Sequence, residues 1–206
     1  MNRKQIIGII SPIIILFMMY PIFQFLSKVF QDNWRIGWIL GLMTYWLIWG
    51  IAYPLFIVGK KNIRGIIKPQ KVNMLILLLV LFPLVMTIIF KSIAGGMVYE
   101  KPNLFVTLLF IFSAFGNGFF EELLWRGIYM KLFPNNLWLR IAWPSIWFGL
   151  WHYAPGSISP DNEHILGLII GSVFLGFYSG FMVKITNTIW WSIIIHTVGG
   201  IIMVLL

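Results

Sequence analysis

Cysteine is missing from the chain altogether, and only six of its 206 residues are acidic. The first absence excludes disulfides, thiol nucleophiles and cysteine-ligated zinc. Charge of either sign is scarce, at 10% of residues, well below the soluble average of about 25%. Linkers, low-complexity tracts, internal repeats and any stretch with the composition of a soluble domain are also lacking. What fills the chain instead is apolar: 60% hydrophobic residues and a mean hydropathy of +0.90. Lipid, not water, is the expected solvent for most of the surface. The net charge of +9 comes from basic residues in short loops between apolar runs, which suits anionic lipid headgroups and gives no reason to expect a nucleic-acid partner.

A membrane span needs about 20 mostly apolar residues. Seven stretches qualify, at roughly 5–27, 35–58, 72–92, 103–133, 140–155, 164–184 and 187–206. The expected fold is all-α, a polytopic transmembrane helical bundle of about seven spans, forming a single membrane domain over 1–206 in the cell membrane. The opening "MNRKQIIGIISPIIILFMMY" is basic and then apolar, as a secretory signal would be. Its apolar run is too long and no small-residue cleavage site follows, so it reads as an uncleaved span.

Lysine and arginine give the expected orientation. The loop at 59–71 carries Lys60, Lys61, Arg64, Lys68 and Lys71 and reads as cytoplasmic. Seven spans put Arg3, Lys4, Lys131, Arg140 and Lys184 on that side too, five plus five making ten, against four outside: Lys28, Arg35, Lys91 and Lys101. Asp32, Glu100, Asp161 and Glu163 fall outside. The N-terminus is expected inside and the C-terminus outside. Arg126, Glu121 and Glu122 remain, all within the fourth span.

A carboxylate at mid-membrane costs about 2.5–3.5 kcal/mol on insertion scales, so it must face the bundle interior and have a partner. In "NGFFEELLWRGIY" (117–129), Glu122 and Arg126 are four apart and pair on one helical face. Glu121, five from Arg126, is expected on another face. Two histidines lie at similar depth. Glu121 is 12 residues before Phe133 and His152 is 12 beyond Arg140, about 18 Å each, while His196 is 9 beyond Asn187, about 14 Å. Three spans thus deliver a carboxylate and two imidazoles to one layer. A carboxylate held out of water beside a second carboxylate is a usable general base, with Arg126 separating the roles of the two acids. An imidazole can share the activated water or donate to a developing oxyanion. Ser113, Ser145 and Ser192 have no adjacent base by spacing, so attack by water on a carbonyl is the chemistry these groups support. Asn117, one turn before Glu121, is a candidate carboxamide donor. The motifs "GLIIG" (167–171) and "GFYSG" (176–180) offer small faces for close helix packing.

The three segments together resemble the CPBP intramembrane endopeptidases, also called Abi or CAAX-protease-like. That family's pattern is Glu-Glu-xxx-Arg, then Phe-xxx-His, then His-xxx-Asn/Asp on successive helices. Glu121, Glu122 and Arg126 match the first element, and Phe148 and His152 the second. His196 begins the third, with Gly200 where the family has Asn or Asp. The resemblance covers about 103–206. It implies a membrane-buried protease in which Glu121 and His152 activate water and His196 supports the oxyanion, acting on a membrane-associated peptide or protein. Bacterial relatives include bacteriocin-immunity and peptide-processing proteins. The cofactor is left open: a Glu-His-His set either holds a divalent metal such as zinc or activates water unaided.

Two other classes compete with the endopeptidase. A non-catalytic bacteriocin-immunity or binding protein on the same scaffold is favoured by Gly200, but would gain little from burying Glu121, His152 and His196. A proton-coupled transporter would use membrane Glu and His as well, yet calls for two related halves that the sequence does not show.

Overall fold

The structure, a computed structural model, describes residues 1–94, 103–160 and 164–205. Among these residues it is helical throughout. The helices are α1 (Arg3–Val29), α2 (Trp34–Ile57), α3 (Lys60–Ile67), α4 (Met74–Ala94), α5 (Leu104–Leu132), α6 (138–156), α7 (Ile165–Thr186) and α8 (Trp190–Leu205). All but α3 fall on the seven apolar stretches. Four of them, α1, α2, α5 and α7, are long and apolar enough to cross a membrane, while the apolar helices within α4 and α8 are shorter. Stretch 140–155 is not one continuous helix: its α-helical part ends at Trp151, and His152 sits in the turn before Tyr153–Gly156.

The segment expected to be a loop, 59–71, contains α3. Gly59 makes the turn into it with a positive φ of 80°, a conformation glycine adopts without penalty. The helix is too short to stand alone. It is held by Ile66, which is fully buried against Leu123, Met130, Val183 and Ile189.

Several hydrogen bonds gather the chain segments rich in basic residues at one end of the bundle. Asn2 and Gln5 form a reciprocal cap that starts α1. Lys4 Nζ donates to the Ile57 carbonyl at 2.8 Å, and Gln5 Nε2 donates to the Leu132 carbonyl at 2.9 Å. The Ile189 N–H donates to the Ile66 carbonyl at 3.1 Å. The start of α1, the end of α2, α3, the end of α5 and the start of α8 therefore share that end. Of the residues assigned to the opposite end, Glu100, Lys101, Asp161 and Glu163 lie outside the described residues, and the side chains of Asp32 and Lys91 are likewise undescribed.

Polarity is distributed inside out. Phe17, Phe105 and Phe174 are 74%, 64% and 72% exposed, whereas Glu121, Glu122 and Arg126 are 1%, 0% and 3% exposed. Close packing then fixes which helices meet. A Cβ on Gly176 or Gly180 of α7 would lie 2.9 Å from Ser145 or 2.8 Å from Ile141 of α6, so "GFYSG" is a packing face as expected. "GLIIG" is not, because neither Gly167 nor Gly171 has a neighbour within 4 Å of such a Cβ. The tightest approach joins α5 to α8: a Cβ on Gly118 would lie 1.9 Å from Thr197 Oγ1.

Candidate active site

The Gly118–Thr197 contact sets the site. Glu121 and Glu122 follow Gly118 by about one turn, and His196 precedes Thr197, so the carboxylates and the imidazole arrive together. His196 lies between the two acids. Its Nδ1 is 3.1 Å from Glu122 Oε1 and its Nε2 is 3.6 Å from Glu121 Oε2.

Directly after Glu122, α5 changes to a π-helix over Leu123–Ile128, the segment that carries Arg126. Arg126 pairs with Glu122 at 3.4 Å, as their spacing predicts. Arg126 also interacts electrostatically with Glu121.

Phe148 of α6, fully buried, is the hub for the remaining groups. The Arg126 guanidinium carbon lies 4.1 Å from the centre of its ring, a cation–π contact. The His152 ring meets Phe148 edge-on at 4.8 Å and the His196 ring at 5.8 Å. His152 Nδ1 is 2.7 Å from the Phe148 carbonyl. A carbonyl only accepts, so Nδ1 carries the hydrogen and Nε2 of the neutral ring carries the lone pair. Among the described residues His152 bonds to neither glutamate. It joins the group through Phe148 and through electrostatic interaction with His196 and Arg126. Asn117 is turned to another neighbour: its Oδ1 accepts from Trp46 Nε1 at 3.0 Å, leaving the amide N–H groups as its donors.

Sequence reasoning missed three aromatic residues. Trp151 Nε1 donates to Glu121 Oε1 at 2.8 Å. Tyr45 stacks on the Trp151 ring at 3.9 Å, and its hydroxyl accepts from Trp125 Nε1 at 2.8 Å. All three are buried. A buried indole N–H needs an acceptor, which is the one signal that could have pointed to Trp151 beside His152. With 11 tryptophans in the chain that signal singles out none of them.

Four buried atoms in the site make no hydrogen bond within the protein: Glu121 Oε2, Glu122 Oε2, and both terminal nitrogens of Arg126. Gly200, one turn beyond His196, contributes no side chain, and a Cβ there would lie 3.1 Å from Ala114 Cβ. An asparagine at 200 would have to push α8 away from α5. The donors do not suit zinc. Among the described residues no group of three or more His, Cys, Asp or Glu side chains could hold a metal ion. Both His196 nitrogens face carboxylates, and His152 Nδ1 is committed to a carbonyl, so no step is derived through a metal.

Buried carboxylates and imidazoles converge inside an apolar helical bundle. Residues 101–202 match the family model of type II CAAX prenyl endopeptidase Rce1-like proteins, in accord with the resemblance to CPBP proteases. Endopeptidase activity within the membrane is the general function that goes with it. No curated protein and no solved structure matches the chain.

Proposed function

We propose that this protein is a glutamate-dependent endopeptidase, multi-pass in the cell membrane, that cleaves a membrane-associated peptide or protein with activated water. The single membrane domain spans 1–206, with the catalytic part at about 103–206 and the basic end in the cytoplasm. The observation that carries the reading is the convergence of Glu121, Glu122, Arg126 and His196 around Phe148, with His152 on the same ring.

The residues divide the work as follows. Trp151 holds Glu121 Oε1, which leaves Oε2 as the oxygen that takes a proton from water. His152, whose Nε2 is an acceptor, shares the task of activating the water. The water oxygen bonds to the peptide carbonyl carbon, and negative charge develops on the carbonyl oxygen. Glu122, backed by Arg126, orients His196 through Nδ1, and the ring donates from Nε2 to that oxyanion when both its nitrogens carry a proton. When the carbon–nitrogen bond breaks, the proton held by Glu121 passes to the departing amine. Asn117, one turn from Glu121, supplies a further amide donor in place of the side chain absent at 200.

One observation favours the alternative, a non-catalytic immunity or binding protein: Gly200 offers only backbone on the oxyanion side. The two readings separate in a comparison of peptide termini in membranes containing the wild-type protein or Glu121→Gln. Termini that vanish in the variant support the endopeptidase. Identical termini alongside a preserved protective phenotype would leave the binding protein.

A further inference from the structure

The basic segment after α2 is more than a solvated loop, because the structure folds it into α3 and seats it against the site. Lys60, Lys61 and Arg64 on α3, and Lys68 and Lys71 just after it, are exposed. Between Asp32 and Glu100 the chain contains no acidic residue to neutralise them. The opposite side of α3 is apolar. Ile66 is fully buried among Leu123, Met130, Val183 and Ile189, with Ile63 and Ile67 packed alongside. Thr188 Oγ1 is 2.8 Å from the Ile66 carbonyl and 3.0 Å from the Lys68 carbonyl, which ties the end of α3 to the start of α8. Ile66 Cγ2 also lies 3.6 Å from where a Cβ on Gly127 would stand. Leu123 and Gly127 belong to the π segment that carries Arg126, and α8 carries His196.

We propose that α3 is a docking surface for anionic phospholipid headgroups, and that their binding steadies the π segment and α8 and so the geometry of the site. The occupant follows from charge and place. A cationic face between two apolar helices cannot move away from the bilayer surface, and the multivalent anion there is the headgroup layer. Each lysine or arginine near such a surface strengthens binding about fivefold, so removing three weakens it on the order of a hundredfold. The coupling runs chiefly through Ile66, the fully buried α3 side chain, which packs with Leu123 and lies against Gly127. The effect on turnover rests on the endopeptidase reading, but the docking and its mechanical consequence do not.

The test therefore uses no substrate. The full-length protein is placed in nanodiscs of phosphatidylcholine alone or of phosphatidylcholine with phosphatidylglycerol. Two quantities are read: phosphatidylglycerol retained on the protein by native mass spectrometry, and amide hydrogen exchange over 60–71 and 123–130. Wild type is expected to retain phosphatidylglycerol and to show slower exchange in both segments in anionic discs. Lys60→Gln/Lys61→Gln/Arg64→Gln should lose the retention on the order of a hundredfold, and both protections with it. Ile66→Ala should keep retention within about threefold while losing protection at 123–130 alone. Equal retention by wild type and the triple variant overturns the docking. Retention without any change at 123–130 in wild type overturns the coupling. Because neither reading needs catalysis, an inactive protein that passes both would count against the endopeptidase and not against this surface.

Discussion

The two halves of the molecule contribute different kinds of chemistry to one site. The half after residue 103 supplies the carboxylates, the guanidinium and the imidazoles: Glu121, Glu122, Arg126, His152 and His196. The half before residue 94 supplies none of these, but it builds the wall behind them. Tyr45 stacks on the tryptophan that holds Glu121, and Trp46 ties down Asn117. The family match covers only the later half. A catalytic motif can thus be complete in one segment while the orientation of its base depends on aromatic contacts from another.

The largest expected effect sharpens this division. Glu121→Gln keeps shape and removes the base, so the rate should fall about 100- to 10,000-fold with protein abundance unchanged, as read from cleavage in membranes. Wild-type cleavage by the variant would remove the later half's claim to the chemistry. Arg126→Ala comes next and acts on folding. It leaves Glu122 buried without its guanidinium partner, a loss of about 3–5 kcal/mol in soluble proteins, and should appear as low abundance and early thermal unfolding. Normal abundance with no activity would instead make Arg126 a partner of the reacting atoms.

Trp151→Phe tests the meeting of the two halves. Phenylalanine can still stack on Tyr45 but cannot donate to Glu121 Oε1. Losing a hydrogen bond to a charged group is worth roughly 1.5–3 kcal/mol, which predicts a kcat about 10- to 100-fold lower at unchanged KM. A matching rise in KM would point to general disruption of the pocket. Asn117→Ala should lower turnover more than Trp46→Phe does, since it removes an amide donor as well as the acceptor of Trp46. Equal losses would reduce Asn117 to a tie between helices. The smallest effect belongs to Tyr45→Phe, which keeps the ring and removes only the acceptor of Trp125. It should cost about 1–3 kcal/mol in stability, checked by thermal unfolding, with activity nearly intact.

These expectations also show what a sequence can reveal about such a site. Charges inside apolar helices are rare enough to be read directly, and depth along each span set Glu121, His152 and His196 in one layer, where His196 lies 3.6 Å from Glu121. The Glu122–Arg126 pair followed from spacing alone. What spacing could not give was the π turn, which changes the helical period just after Glu122. His152 reached the right layer, but its contact is with Phe148 and not with a carboxylate, because the helix stops at Trp151. Trp151 and Tyr45 were hidden by the abundance of aromatics around them. Helix α3 was invisible for another reason: eight residues have little helical stability of their own, and only the burial of Ile66 makes them helical.

The contact between Gly118 and Thr197 has a mechanical meaning. With 1.9 Å between Thr197 Oγ1 and the place of a Cβ on Gly118, α5 and α8 interlock like cogs. Shear between them by even one residue, about 1.5 Å of rise, would drive the threonine hydroxyl into the turn beside Gly118. The two glutamates and His196 therefore travel as one rigid jaw. His152 and Trp151 ride on α6, which is seated on α7 by Gly176 and Gly180 and forms the opposing jaw.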